Sequence, residues 1–230
     1  MKEGFFITLE GFEGSGKTTL AKIIYKTLLK NGLNTVLAKE PGGTVIGDKI
    51  RKILLERGNE GLGYKAELLL FTASRAENVR INIKPSLEKG LIVICDRYFD
   101  STTAYQGFGR GIDMSVIDYF NNFAVEDIIP NLTLFLDVDT EIGLKRATMF
   151  PKNLELRFED EFIQKKEVNG KLFLERVRDG YYQIARQNPE RIKIIDANRD
   201  ISMLTEDIIE ILNLKLSEKF KRDIILKLHN

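Results

Sequence analysis

Histidine is nearly absent from the chain: the only one, His229, is the penultimate residue. A Ser-His-Asp triad, histidine acid–base catalysis or a multi-histidine metal centre would each have to be built on a chain end, and all three are set aside. Cysteine is as scarce. Cys95 stands alone, which excludes an internal disulfide and a thiolate metal cluster and suits a reducing compartment. Its place in the apolar run Leu91-Ile92-Val93-Ile94-Cys95 reads as that of a small buried filler, not a nucleophile. No apolar run approaches the roughly 20 residues of a membrane span, and the run at Phe5 to Leu9 is too short for a signal peptide. The expectation is a cytoplasmic chain with no membrane partner.

An excess of charge is missing too. The 35 basic and 34 acidic residues leave a net charge of +1. Tracking a nucleic acid needs a one-sided basic excess, so no nucleic-acid partner is expected, whereas a small phosphate ligand needs only a few local cations. No Gly/Pro linker, repeat or low-complexity tract divides the 230 residues, of which 43% are hydrophobic and 30% charged. That profile predicts one folded domain over residues 1–230.

Five short apolar runs read as strands: Phe5 to Glu10, Asn34 to Lys39, Leu91 to Cys95, Leu132 to Val138 and Arg191 to Ile195. Helical patterns lie between them. Leu20, Ile23, Ile24 and Leu28 make one apolar stripe that Asn31-Gly32 ends. Others run over Val45 to Leu55, Lys65 to Leu87, Met114 to Phe123, Thr140 to Thr148, Lys171 to Gln187 and Ile201 to Lys215. Strands separated by helices need crossovers, so the fold class expected is α/β, a doubly wound, mostly parallel five-stranded sheet flanked by helices. Two regions break the alternation. Residues 149–170, with Pro151 and the turn-like Asn169-Gly170, read either as a mobile lid or as a surface loop. In the tail, Phe220, Ile224, Ile225 and Leu228 stand at helical spacing, which predicts a docked amphipathic helical extension over about 216–230 rather than a membrane-surface helix.

The strongest chemical signal is Gly11-Phe12-Glu13-Gly14-Ser15-Gly16-Lys17-Thr18, a full G-x-x-x-x-G-K-[ST] string between the first strand and the first helix. Its glycines let backbone N–H groups turn inward on phosphate oxygens, and the helix N-terminus adds positive potential. The expected ATP site is therefore Gly11 to Thr18 with Thr19, Lys17 reaching the β- and γ-phosphates and Thr18 giving its hydroxyl to Mg²⁺. Asp96, at the end of the third strand, is the second candidate metal residue.

Asp96-Arg97-Tyr98 and Ser101-Thr102-Thr103-Ala104-Tyr105-Gln106-Gly107 follow that strand. With Glu40-Pro41-Gly42-Gly43-Thr44, Arg51 and Leu69-Leu70-Phe71-Thr72-Ala73-Ser74-Arg75, they resemble the thymidylate kinase family of P-loop kinases, from strand one to about Ala197. The resemblance implies transfer of the γ-phosphate of ATP to thymidine 5′-monophosphate (dTMP), with Mg²⁺ as cofactor and a homodimer as the assembly. It implies that Arg97 and Arg51 hold the acceptor phosphate, that Phe71 stacks on thymine and that Arg75 bonds the base edge. Thr102 and Gln106 match polar positions near the base, Tyr105 a ring against the deoxyribose, and Glu13 a carboxylate near the 3′-hydroxyl. Glu40 joins the expected substrate residues. Bland readings stand beside these: Phe71 as core, Arg75 with Glu77 and Arg80 as a solvated face, Tyr105 packed on Phe108, and Gly107 to Gly111 as a flexible loop.

A monophosphate acceptor is already anionic, so no base is needed and the lack of histidine is no obstacle; positioning and cations must do the work. The catalytic candidates are Lys17, Arg97, Glu13 and a lid arginine. The cradle's x positions hold no Arg or Lys. Leu154 to Glu159 resembles the family's lid and makes Arg157 the candidate, with Arg146 and Lys152 in reserve. Asp196-Ala197-Asn198, after the last strand, is where adenine is expected. A P-loop switch or partitioning ATPase would carry N-K-x-D or a second early lysine, and neither string is present. A nucleoside kinase, the nearer rival, would need a carboxylate base.

Overall fold

A computed structural model describes residues 4–55, 62–149 and 168–228. Five strands form one sheet: β1 (Phe5–Glu10), β2 (Thr35–Lys39), β3 (Ile92–Asp96), β4 (Leu132–Asp137) and β5 (Ile192–Asp196), in the order β2-β3-β1-β4-β5. Every pairing is parallel, as crossover helices require. The strand order reverses at β1, which pairs with β3 on one side and β4 on the other. In open α/β sheets that reversal opens a crevice at the carboxyl ends of the strands.

Alternation along β1 assigns its two faces. Phe5, Ile7 and Leu9 enter the larger core with Leu20, Ala21, Ile24 and Leu28 of α1 (Lys17–Lys30), while Phe6 enters a second core with Val93 and Cys95. Cys95 is fully buried there, and burial pushes its thiol pKa well above the usual value, which is the filler's role expected of it. The expected α1 stripe holds, with Ile23 only half-buried.

The helices after β2 are α2 (Val45–Leu55) and α3 (Tyr64–Asn78), which continues through a π-helical segment (Val79–Ile83) into α4 (Lys84–Glu88). The expected Lys65-to-Leu87 helix is thus continuous but widened. Pro85 has no N–H and its ring crowds the preceding turn, and the widened segment directly precedes it. A further element was not foreseen: α5 (Phe99–Thr102) runs into a π-helical turn over Thr103–Gly109. The reading of Gly107 to Gly111 as a flexible loop gives way here, because Gly109 packs under α8 (Val168–Gln187) where a Cβ would stand 2.6 Å from the Phe173 ring.

The remaining helices are α6 (Met114–Val125), α7 (Thr140–Met149) and α9 (Ile201–Phe220). Asn169-Gly170 does not turn; it lies in the first turn of α8, so the lid expected at 149–170 is bounded by α7 and α8 and falls otherwise outside the described residues. The helical tail is also corrected. Lys221 adopts a left-handed conformation (φ 49°) that stops α9, and residues 223–228 are not helical. Asn213 and Ser217, four apart on α9, accept from the N–H groups of Leu226 (2.8 Å) and Ile224 (2.9 Å). That capture buries Ile224 and Leu226 at a period of two and leaves Ile225 exposed. The tail docks as expected, but as extended chain. No helix among the described residues is long and apolar enough to cross a membrane.

Candidate active site

The loop from Gly11 to Gly16 leaves the carboxyl end of β1 and enters α1. Gly11, Gly14 and Gly16 all have positive φ (133°, 71° and 92°). At Gly14 the requirement is double, since a Cβ would also meet the carbonyl oxygen of Gly143 at 2.0 Å. Lys17 Nζ donates to the Phe12 carbonyl at 2.7 Å and to Ser15 Oγ at 3.3 Å, so the lysine is gathered over the loop. Phe12 contributes only backbone here; its ring is buried against Gly143. Thr19 is an exposed residue of the first turn of α1.

Thr18 Oγ1 donates to Asp96 Oδ2 at 2.5 Å, bridging α1 to the end of β3. A hydroxyl and a carboxylate in contact are the hard oxygen donors Mg²⁺ takes from protein, its other positions going to phosphates and water. Among the described residues no cluster of three His, Cys, Asp or Glu could hold a metal by itself.

Beyond Asp96 the backbone turns sharply. Arg97 has φ 70°, a left-handed conformation that costs free energy in a non-glycine residue. The turn drives its guanidinium back towards the loop. Nη1 donates to the Gly11 carbonyl (2.8 Å) and Ser101 Oγ (3.2 Å), and Nη2 pairs with Glu13 Oε1. The guanidinium also lies 5.1 Å from the Tyr105 ring centre. Burial opposes the ionisation of Glu13, but the Arg97 and Lys17 charges, the Arg97 hydrogen bond and Arg51 outweigh it and hold its pKa below the ordinary value.

Across from the loop, α3 presents Glu67, Phe71 and Arg75 at four-residue spacing on one face. Arg75 is not a solvated residue: it is 1% exposed, and Nε donates to Glu40 Oε2 at 2.8 Å. Its Nη1 donates to Thr102 Oγ1 (3.0 Å) and Asn121 Oδ1 (3.2 Å), and Nη2 to the Tyr98 carbonyl (3.1 Å). Glu77 and Arg80 do form the solvated pair expected of that helix. Tyr105 packs edge-on against Phe173 and Tyr181, not on Phe108.

An open cleft of about 380 Å³ lies between these walls, lined by Glu13, Glu40, Pro41, Phe71, Arg75, Arg97, Ser101, Thr102, Tyr105 and Gln106. Phe71 therefore faces the cleft rather than the core. Arg51 stands outside the lining, its Nη1 donating to the Pro41 carbonyl at 2.7 Å. Arg146 is held by the Ala197 and Asn198 carbonyls (2.7 and 3.2 Å), beside the segment expected to meet adenine and away from the cleft. Arg157 and Lys152 lie outside the described residues.

The sequence reading missed the support behind Arg97. Glu10, fully buried at the end of β1, accepts from the Tyr98 N–H (2.7 Å), Ser101 Oγ (2.5 Å) and Tyr181 OH (3.1 Å). Tyr181 comes from α8, far along the chain, and no local pattern announces it. Arg178 and Tyr182 of the same helix hold Asp137 at the end of β4 (2.7, 2.8 and 2.6 Å). Burial pushes the Glu10 pKa up to about 7, the Asp100 charge adds to this, and the Ser101 bond, the Arg97 charge and the Tyr98 N–H oppose it. Native Glu10 thus keeps a proton that the unfolded chain releases near 4.5, so its stabilisation is full below about pH 4.5 and is lost as pH rises through 7. Between those limits native protein should lose on the order of 3 kcal/mol more stability than Glu10→Gln in denaturant unfolding; equal pH slopes would put Glu10 in the ordinary carboxylate range.

A family model described as thymidylate kinase matches residues 9–208. A thymidylate kinase of Clostridium novyi is 39% identical over 208 residues, covering 90% of this chain and 98% of that protein. One of Halothermothrix orenii is 44% identical over 206 residues, covering 89% and 94%. The crystal structure of thymidylate kinase from Ehrlichia chaffeensis superposes with a TM-score of 0.72 at 36% identity, covering 91% of this chain and 99% of that one. The similarity runs along nearly the whole chain, and the chain belongs to the thymidylate kinase family, a family of kinases.

Proposed function

We propose that the chain, one kinase domain over residues 1–230, transfers the γ-phosphate of ATP to dTMP, giving dTDP and ADP. The observation that carries this reading is the cleft itself, in which one guanidinium, Arg97, touches both the phosphate loop and the Ser101–Tyr105 segment, with Phe71 and Arg75 lining the same cleft. Family membership supports the substrate pair. ATP takes the cradle of Gly11 to Thr19, and the acceptor takes Glu40, Arg51, Phe71, Arg75, Arg97, Thr102, Tyr105 and Gln106.

In this reading Lys17 and Arg97 draw the two phosphate-bearing groups together and offset their repulsion, and no side chain has to remove a proton from the anionic acceptor. Glu13 keeps Arg97 aimed, its low pKa preserving the charge pair. Thr18 and Asp96 would hold Mg²⁺, which when bound neutralises charge on the donor phosphates. Tyr105 is pinned between Phe173, Tyr181 and Arg97, and in this reading it is the ring that meets the deoxyribose and disfavours a 2′-hydroxyl.

A homodimer, the assembly the resemblance implies, is supported by exposed apolar side chains on helices packed side by side: Val45 and Ile46 of α2, Leu69 of α3, and Tyr119 and Phe123 of α6. Chain pairs seen by sedimentation velocity at micromolar concentration are expected, and a monomer there would remove the dimer from this reading.

A coupled assay with ATP, Mg²⁺ and a panel of nucleosides and monophosphates should give dTMP as the preferred acceptor, well ahead of UMP and CMP. Comparable kcat/KM for UMP and dTMP would point instead to a uridylate or cytidylate kinase, and activity on nucleosides to a nucleoside kinase. Arg157→Ala should lower turnover by roughly tenfold or more with nucleotide affinity little changed, as loss of a contact made only in the transition state does. Unchanged turnover would take Arg157 out of the mechanism.

A further inference from the structure

On the face of α3 that carries Phe71, Glu67 is 1% exposed. A carboxylate so deep needs a counter-charge, and Arg110 supplies it, Nη2 donating to Oε2 at 2.9 Å. The other oxygen, Oε1, accepts from Gln106 Nε2 at 2.9 Å. Gln106 is itself 2% exposed and lines the cleft. A carboxylate paired with a guanidinium is an acceptor only, so of the two orientations open to the Gln106 amide it permits one. The NH₂ must face Glu67, and Oε1 must face away from it. Among the described residues nothing donates to that oxygen. A buried amide oxygen of this kind awaits a donor from a ligand.

We propose that Glu67 is a positioning residue for base selection: it locks the Gln106 amide so that the cleft meets a carbonyl oxygen, which takes the N3–H of a pyrimidine imide. Arg75, a donor, and Gln106 Oε1, an acceptor, then match the carbonyl and the adjacent N–H of thymine. A cytosine ring offers an amino group and a bare nitrogen at those two positions, and both are mismatched. Were the amide free to turn over, its NH₂ would satisfy that nitrogen and the discrimination would be lost. The proposal rests on the reading of the cleft as the dTMP site.

The test compares kcat/KM for dTMP and 5-methyl-dCMP, which share the methyl group and differ at the imide edge. It uses the full chain and the variants Glu67→Gln and Glu67→Asp. In Glu67→Gln the new amide can donate to Gln106 and let it turn, while Glu67→Asp keeps the charge opposite Arg110 but falls short of the amide. Native protein should prefer dTMP by about a hundredfold or more, as a site with a committed acceptor does. In either variant that folds, the preference should narrow by about tenfold or more, chiefly through a higher KM for dTMP, with the KM for ATP unmoved. A merely structural role for Glu67 would shift both substrates' parameters together and leave the preference intact, which overturns the proposal. Equal use of the two nucleotides by native protein also overturns it while leaving the site's identity standing. Failure to phosphorylate dTMP at all would instead remove the reading of the cleft.

Discussion

The placement of Arg97 is the constraint on which the site depends. Its left-handed backbone is the cost of turning a side chain from the end of β3 back over the neighbouring strand. The conformation persists because it is fixed from several sides: the backbone N–H donates to the Leu9 carbonyl (3.0 Å), and the guanidinium is held by Gly11, Glu13 and Ser101. Glu10 in turn fixes Ser101 and the Tyr98 N–H, so both ends of the short turn are tied to β1. The phosphate loop and the Ser101–Tyr105 side of the cleft are thereby joined through one charged group, and the distance between them is set by covalent reach.

The near-equality of acidic and basic residues takes on a meaning beyond solubility. Glu13–Arg97, Glu40–Arg75, Glu67–Arg110, Asp100–Arg191 and Asp137–Arg178 are ion pairs at least partly withdrawn from water, and each joins separate elements. Such pairs add little net stability, because the desolvation of both charges opposes their attraction. Their effect is geometric. A guanidinium fixed by a carboxylate and by carbonyls has few orientations left, and side chains that must meet a planar base or a phosphate benefit from that restriction.

The strand positions and the phosphate loop were legible because both depend on local signals: short apolar runs, and glycines at positions where only positive φ fits. Phe71 and Arg75 came into view only through the resemblance of the Leu69-to-Arg75 segment to the family, and their four-residue spacing sets them on one face of α3. What lay beyond reach of sequence patterns was tertiary. Tyr181 and Arg178 come from a helix far along the chain to support residues at the ends of β1 and β4. The Phe99–Gly109 helix was hidden by its glycines, which admit Met114 and the Phe173 ring and so serve packing rather than flexibility. In the tail, Ile224, Ile225 and Leu228 fit a helical period, yet the acceptors of Asn213 and Ser217 capture the chain in an extended form. A short apolar pattern takes whichever conformation its neighbours can satisfy.

The central claim, that one guanidinium couples the phosphate loop to the acceptor, is tested most directly by single-turnover phosphoryl transfer with Arg97→Lys at saturating ATP, Mg²⁺ and dTMP. Lysine keeps the charge but has a single nitrogen in place of the planar fork whose Nη1 and Nη2 divide the Gly11 carbonyl, Ser101 and Glu13 between them. The chemical step should slow by about a hundredfold or more while ATP binding is nearly unchanged. A native rate in Arg97→Lys would show that charge alone suffices, and would contradict the coupling.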